Sequence, residues 1–160
     1  KFLFEIPGYQ LEPSEISAAF GLEQLKKLNK FIKIRQKNFD NLCNFFKKYN
    51  NFFEIPKPNL NSNTCWLAFP LLIRRNKFFN RTDFQKYLES RNIQTRVIFT
   101  GNILKQPGFK DLVKYNKGKF KNADIVMETG MLLGLHQGLG KKHLNHIYSS
   151  VDIFINKIIK

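Results

Sequence analysis

Acidic residues are scarce in this chain of 160 residues: 12 Asp and Glu stand against 27 Lys and Arg, for a formal net charge of +15. Cysteine is scarcer still. Cys43 and Cys65 are the only two and form no CxxC pattern, which argues against a disulfide-stapled scaffold or a Cys-based zinc site. They read as reduced, buried thiols of a cytosolic protein. No run of about 18 uncharged apolar residues occurs, so nothing reads as a membrane span. The opening Lys1 to Pro7 carries an acid too early, and too short an apolar run, for a secretion signal. The missing initiator Met suggests a segment of a longer protein. No GxSxG, P-loop, GxGxxG or HExxH string is present. Ser149, Ser150 and Cys65 have no base placed by motif, so nucleophilic catalysis has no support.

Apolar residues make up 42% of the chain and include 17 Phe, which is enough for one globular core. The basic field could attract nucleic acid, acidic membranes or phosphorylated metabolites. Its lysines, however, are spread along the whole chain, and the abundance of Lys, Asn, Ile and Phe also fits a nucleotide bias of the genome. A stand-alone basic module for nucleic acid or anionic surfaces is therefore one reading, although no RNP-like aromatic-basic strand supports it.

After an extended lead-in with a kink at Gly8-Tyr9-Gln10, Pro13 and Ser14 supply helix start signals. From about Glu15 to Asn50, Leu25, Leu28, Ile32, Phe39, Leu42 and Phe46 form one apolar stripe, with Lys26, Lys27, Lys30, Lys33 and Lys37 largely off it. Gly21 inside this helix hints at close packing or a break. The apolar run Cys65 to Ile73 reads as a strand that Pro70 places at an edge or interrupts. Asn80-Arg81-Thr82 matches a glycosylation sequon, which has no consequence in a cytosolic protein. Thr82 and Gln85 suggest a capping box for a short helix that buries Phe84, Tyr87 and Leu88 and closes at Asn92. Ile93 to Phe99 reads as a strand, and Phe109 to Lys121 as a basic, irregular stretch with a short helix followed by a turn at Gly118. Asn122-Ala123-Asp124 reads as the cap of a brief helix, and Met131 to Leu135 as a strand. Leu144, Ile147, Val151, Phe154 and Ile158 mark a last helix. The fold class is α/β: a long N-terminal helix followed by a small three- to four-stranded sheet covered by helices.

The chemistry-bearing stretch is Thr95 to Phe109. Thr95, Val97 and Phe99 alternate with Arg96 and Ile98, then Thr100-Gly101-Asn102 breaks the strand into a polar loop that ends in Gln106-Pro107-Gly108. Such a loop on a rigid support suits a small polar ligand. His136-Gln137-Gly138-Leu139-Gly140 is a second polar loop, and its histidine is a further candidate. His143 and His146 share a helix at a metal-compatible spacing, but no Cys or paired carboxylate completes a set.

The residues also carry a resemblance. Gly8-Tyr9-Gln10 and Ser14-Glu15-Ile16-Ser17-Ala18-Ala19-Phe20-Gly21-Leu22-Glu23-Gln24-Leu25 resemble the "GYN…SE.QAA.GL.QL" segment of the DegT/StrS family of sugar aminotransferases and dehydratases. Trp66 to Pro70 resembles its "W..FP" strand. Thr95 to Phe109 is similar to the "TR..F.GN..RQP.F" stretch of the CDP-4-keto-6-deoxyglucose 3-dehydrase branch. Asn122-Ala123-Asp124 and Leu133 to Leu139 fit the closing motif.

The resemblance implies the C-terminal small domain of the type I aminotransferase fold. Residues 1–50 would be a lead-in and connecting helix from a large domain, and 51–160 the small domain. It implies a cytoplasmic homodimer that uses PLP or PMP on a nucleotide-linked 4-keto-6-deoxy sugar in lipopolysaccharide biosynthesis, without nucleic acid or membrane partners. Tyr9 and Gln10 would reach the cofactor phosphate of the neighbouring subunit, with Gln10 replacing the usual Asn. Arg96, Phe99, Asn102, Gln106 and His136 would face the substrate, and Lys105 stands where the branch often has Arg. The residue that decides between amino transfer (Lys) and 3-dehydration (His) would lie outside this chain, which alone would be inactive. A non-catalytic dimer partner is the remaining alternative.

Overall fold

In the computed structural model, which describes Ile6, Gly8, Tyr9 and residues 11–59, 61–62, 64–114 and 119–159, helix α1 spans Glu15–Phe46 and a 3-10 turn, Lys47–Tyr49, ends it. Its apolar stripe is divided. Phe39, Leu42 and Phe46 are buried in the core, whereas Leu25 and Leu28 are 63% and 45% exposed, beside exposed Ile16, Phe20 and Leu22. The expectation for Gly21 is corrected accordingly. The helix runs through it unbroken, and among the described residues a Cβ there would meet no atom within 4 Å.

Among the described residues, four strands follow the helix: β1 (Phe53–Glu54), β2 (Ala68–Ile73), β3 (Thr95–Val97) and β4 (Gly130–Gly134). They form one sheet in the order β1-β2-β4-β3, with every neighbouring pair antiparallel. β1 is too short to show a period, so the hydrophobic pattern does not announce it. The register pairs Phe69 with Leu133 and Leu71 with Met131, which puts these four buried side chains on one face. Pro70 is accommodated as expected of an edge. β1 pairs only with Leu72 and Ile73, so one side of β2 carries no ladder at the proline.

Helices α2 (Arg81–Ser90), α3 (Lys121–Thr129) and α4 (Lys141–Ile159) surround the sheet, with 3-10 helices at Ile103–Lys105 and Pro107–Lys114. The inner face meets α1, α2 and α4 in a core built largely of phenylalanine. Phe46 stacks on Phe69 at 5.6 Å, Phe53 lies 5.1 Å from Phe84, and Phe154 lies 5.0 Å from Phe84. α4 follows its expected spacing, with Leu144, Ile147 and Val151 buried. α3 lies against β2 and β4 and buries no residue fully.

Two caps differ from their sequence signals. In α2 the capping box belongs to Asn80 and Asp83: the Asn80 side chain accepts the Asp83 N–H at 3.1 Å and the Asp83 carboxylate accepts the Asn80 N–H at 3.1 Å. The Thr82/Gln85 box is thereby displaced by two residues, since an Asx acceptor outside the helix engages before a Thr inside it. The sequon asparagine is thus the cap itself. For α3, Asn122-Ala123-Asp124 lies inside the helix and Phe120 occupies the cap position without a side-chain bond. Gly118 lies outside the described residues.

Both cysteines are free and partly buried. Burial, then the Asp40 carboxylate, pushes the Cys43 thiol up to about 11 against the opposite pull of Lys47. Burial, then the hydrogen bond to Asp152, pushes Tyr49 up to about 12. The unfolded chain ionises these groups at their ordinary 9.0 and 10.0. Native protein therefore binds more protons in that window, and stability should be intact below about pH 9 and decline from there towards about pH 12. Denaturation midpoints measured along a pH series check this, with Cys43→Ala expected to flatten the lower part of the decline. Truncating the ring at the centre of the core, Phe46→Ala, should cost about 3–5 kcal/mol in urea unfolding; a loss under about 1 kcal/mol would contradict the packing described.

Candidate functional site

β3 ends early for a structural reason. Its partner β4 begins where α3 stops, so pairing extends only from Thr95↔Leu133 to Val97↔Met131. The expected strand through Phe99 is thereby corrected to three residues. Val97 is 47% exposed and Phe99 is 86% exposed with φ 45°, so neither continues an inward-facing alternation. A non-glycine residue in this left-handed region costs about 1–2 kcal/mol, and persists only where its surroundings over-determine it.

Those surroundings are a set of short bonds within the loop and onto α3. The Gly101 N–H donates to the Ile98 carbonyl at 3.2 Å, and Gly101 takes φ +63°. A Cβ at Gly101 would lie 2.3 Å from Met127 Cβ, so only glycine lets the loop backbone approach α3 this closely. Asn102 is buried and both ends of its amide are engaged: Oδ1 accepts the Leu104 N–H at 3.1 Å and Nδ2 donates to Asp124 Oδ1 at 2.8 Å. Lys105 Nζ reaches the same Asp124 oxygen at 2.8 Å. The Lys105 hydrogen bond first, then that of Asn102, holds the Asp124 carboxyl below its usual range. Gln106 Nε2 donates to the Thr100 carbonyl at 3.1 Å and closes the loop.

The candidates therefore divide into two kinds. Asn102 and Gln106 use their amides to hold the loop's shape. Phe99 and Arg96 project outward: Arg96 is exposed on β3, paired with Leu132 on the sheet face opposite the Phe69/Leu133 core. The exposed Phe99 ring can meet a planar group and the exposed Arg96 guanidinium an anion, but residues 99–106 hold no carboxylate or imidazole to act as acid and base. Asp124, the residue that ties loop to helix, was not legible as a site residue. Its signal was an acid in the first turn of a helix that has no capping bond to make.

His136 is not brought to this loop. Because β3 and β4 run antiparallel, Phe99 continues β3 beyond the Gly130 end of β4, while His136 follows the Gly134 end. The two polar loops thus occupy opposite ends of the sheet. His136 is exposed and its Nδ1 accepts the Gly138 N–H at 3.0 Å. Its loop is fastened to α1, with Arg35 donating to Gln137 Oε1 at 2.8 and 3.0 Å and Asn38 Nδ2 donating to the Leu139 carbonyl at 3.0 Å. His143 Nδ1 accepts the Gly140 N–H at 3.1 Å, and His146 Nε2 donates to the Arg91 carbonyl at 2.7 Å. Among the described residues, no group of three or more His, Cys, Asp or Glu could hold a metal ion. No described helix is long and apolar enough to cross a membrane.

Tyr9 is 94% exposed, and Gln10 lies outside the described residues. A single exposed phenol cannot cradle a phosphate-bearing cofactor. It fits one outer contact to a group that other residues hold. Replacing the strained, exposed ring, Phe99→Gly, should leave thermal stability unchanged or raise it by up to about 1 kcal/mol, because the left-handed penalty disappears. Calorimetry checks this; a clear fall in stability would show that the ring packs in the fold.

The comparisons with known proteins agree with this architecture. The model of the DegT/DnrJ/EryC1/StrS aminotransferase family matches residues 1–152. The chain is 32% identical over 155 residues to the lipopolysaccharide biosynthesis protein RfbH of Salmonella typhimurium, covering 96% of this chain and 35% of that protein. It superposes with a TM-score of 0.77 at 30% identity on the E. coli GDP-4-keto-6-deoxy-D-mannose-3-dehydratase with bound hydrated PLP, covering 93% of this chain and 38% of the other. The aminotransferase of Psychrobacter cryohalolentis shares the fold over the whole chain, with a TM-score of 0.86 at 14% identity. Curated relatives carry both dehydratase and transaminase names, and the chain spans about a third of the length of those it matches. Over nearly all of its length, this chain belongs to the DegT/DnrJ/EryC1/StrS aminotransferase family.

Proposed function

We propose that this chain supplies the small-domain part of a PLP- or PMP-dependent enzyme that acts on a nucleotide-linked 4-keto-6-deoxy sugar, by 3-dehydration or amino transfer, in lipopolysaccharide sugar biosynthesis. The observation that carries the reading is the braced loop from Phe99 to Gln106, in a chain whose relatives are named for such substrates. The cofactor supplies the electron sink, and the protein's part is binding and orientation. Here that part falls to Phe99 and Arg96 as outward ligand contacts, with Asn102 and Gln106 holding them in place. The diphosphate of a nucleotide-linked sugar is a dianion, which gives the exposed guanidinium a partner without invoking nucleic acid or a membrane.

Residues 1–50 serve as lead-in and connecting helix from a large domain, and residues 51–160 form the small domain. The support is the sharp change along α1, whose first half exposes Ile16, Phe20, Leu22 and Leu25 while its last turns are buried. Large apolar side chains exposed in such number support a surface that another body covers. The assembly is a cytoplasmic homodimer in which Tyr9 and Gln10 reach towards the cofactor phosphate of the neighbouring subunit. His136, at the other end of the sheet from Phe99, serves a substrate contact separate from that of the loop.

The test is turnover by the full-length protein loaded with PLP or PMP and given GDP- or CDP-linked 4-keto-6-deoxyhexose. Mass spectrometry should find either a sugar that has lost its 3-hydroxyl or one that has gained an amine, and Phe99→Ala should raise KM more than it lowers kcat. The 160-residue chain alone should turn over neither substrate. Loaded full-length protein that forms neither product would remove this reading.

A further inference from the structure

We infer that Asp124 is a positioning residue for the ligand loop: a single carboxylate on α3 sets the outward geometry of Phe99 by holding Asn102 and Lys105 together. This rests on the reading of the Phe99–Gln106 loop as a ligand contact and goes beyond it, because Asp124 itself lies behind the loop.

The geometry is economical. One carboxylate oxygen, Asp124 Oδ1, receives both the Asn102 amide at 2.8 Å and the Lys105 ammonium at 2.8 Å. These two residues bracket the 3-10 turn Ile103–Lys105, so the carboxylate pins both ends of one turn. Asn102 is 7% exposed and spends its other amide end on Leu104, which leaves it no freedom to swing toward a ligand. The charge of Lys105 is met from the protein side, so this lysine is a structural tie before it is a ligand contact. An arginine at this position would offer a planar fork, whereas a lysine ammonium needs only a point of opposite charge.

α3 is itself fixed. Arg81 Nη1, from the first turn of α2, donates to the Met127 carbonyl at 2.8 Å, and Met127 is the residue against which Gly101 closes. The line of support therefore runs from α2 through α3 to Asp124, and from there to the loop. Phe99 sits at its far end with φ 45°, a conformation that a loose loop would relax.

The experiment uses the full-length protein and the variants Asp124→Ala, Asp124→Asn, Lys105→Ala and Glu128→Ala. The last is a control on the same helix, where Glu128 pairs with Arg75 and not with a residue of the loop. Amide hydrogen exchange is followed across residues 99–106 and across the core strands. Asp124→Ala should speed exchange in the loop by about two- to fivefold, the ratio for losing a partly exposed charged contact, and leave β2 and β4 unchanged. Asp124→Asn keeps an acceptor for Asn102 but loses the ion pair, so it should fall between Asp124→Ala and wild type. Glu128→Ala should match wild type. With the nucleotide-linked 4-keto-6-deoxy sugar as substrate, Asp124→Ala should raise KM and leave kcat within about twofold, as expected when ground-state binding geometry is lost.

Loop exchange unchanged in Asp124→Ala overturns the inference, as does acceleration spread equally over core and loop. If Asp124→Ala does not fold, Lys105→Ala carries the same comparison from the other side of the ion pair. Wild-type protein that turns over no nucleotide sugar overturns the functional reading instead, and hydrogen exchange then decides the positioning role by itself.

Discussion

The pairing of β2 with β4 is the constraint on which the other parts depend. It places Phe69, Leu71, Met131 and Leu133 on one face, and Phe46 packs on Phe69 and on Phe53 of the neighbouring β1, where Phe84 joins them. A single-residue slip of β4 on β2 would turn Met131 and Leu133 outward and bring Leu132 in. The same register fixes β3, because β3 pairs only with β4. It thereby fixes where the chain leaves the sheet and where Phe99 emerges. A local strain at Phe99 can persist because the sheet beneath it is not free to adjust.

Much of this was legible in the sequence, and the parts that were not share a cause. Strong periodicity made α4 and the last turns of α1 readable, since Leu144, Ile147, Val151, Phe39, Leu42 and Phe46 report burial by spacing alone. The same spacing misled over Leu25 and Leu28. A helical stripe states that a face is apolar, not that this chain supplies its partner. β1 escaped because two residues carry no period. The cap of α2 was misplaced by two residues because Asn80 and Thr82 are both good acceptors, and which one engages depends on where the backbone turns. β3 looked longer than it is because alternation in Thr95 to Phe99 has no means of announcing that β4 begins only at Gly130.

The candidate site was legible as a stretch and not as a mechanism of support. Phe99, Asn102 and Gln106 were identifiable as members of one polar loop. Their division into outward-facing and inward-bonded groups depends on α3, which returns to the loop only after a long excursion of the chain. His136 illustrates the converse. Its residue type and glycine-rich setting made it a candidate, but antiparallel pairing carries it to the opposite end of the sheet from Phe99. Sequence motifs name residues one segment at a time, whereas a site is a property of which segments meet.

The scarcity of acids gives the final element of the argument. With 12 acids against 27 bases, most basic side chains can find no carboxylate, so the places where acids do pair carry information. Such pairs join separate parts of the structure, as in Lys48 with Asp152, Arg74 with Glu54, Arg75 with Glu128, and Lys105 with Asp124. Each ties a turn, a strand end or a loop to a neighbouring element, at positions exposed enough that the energy of any one is small. Their contribution is direction more than strength. In a chain whose net charge repels itself, a carboxylate at a joint selects one geometry among several of similar energy. Asp124 is the instance in which the selected geometry belongs to the loop that presents Phe99.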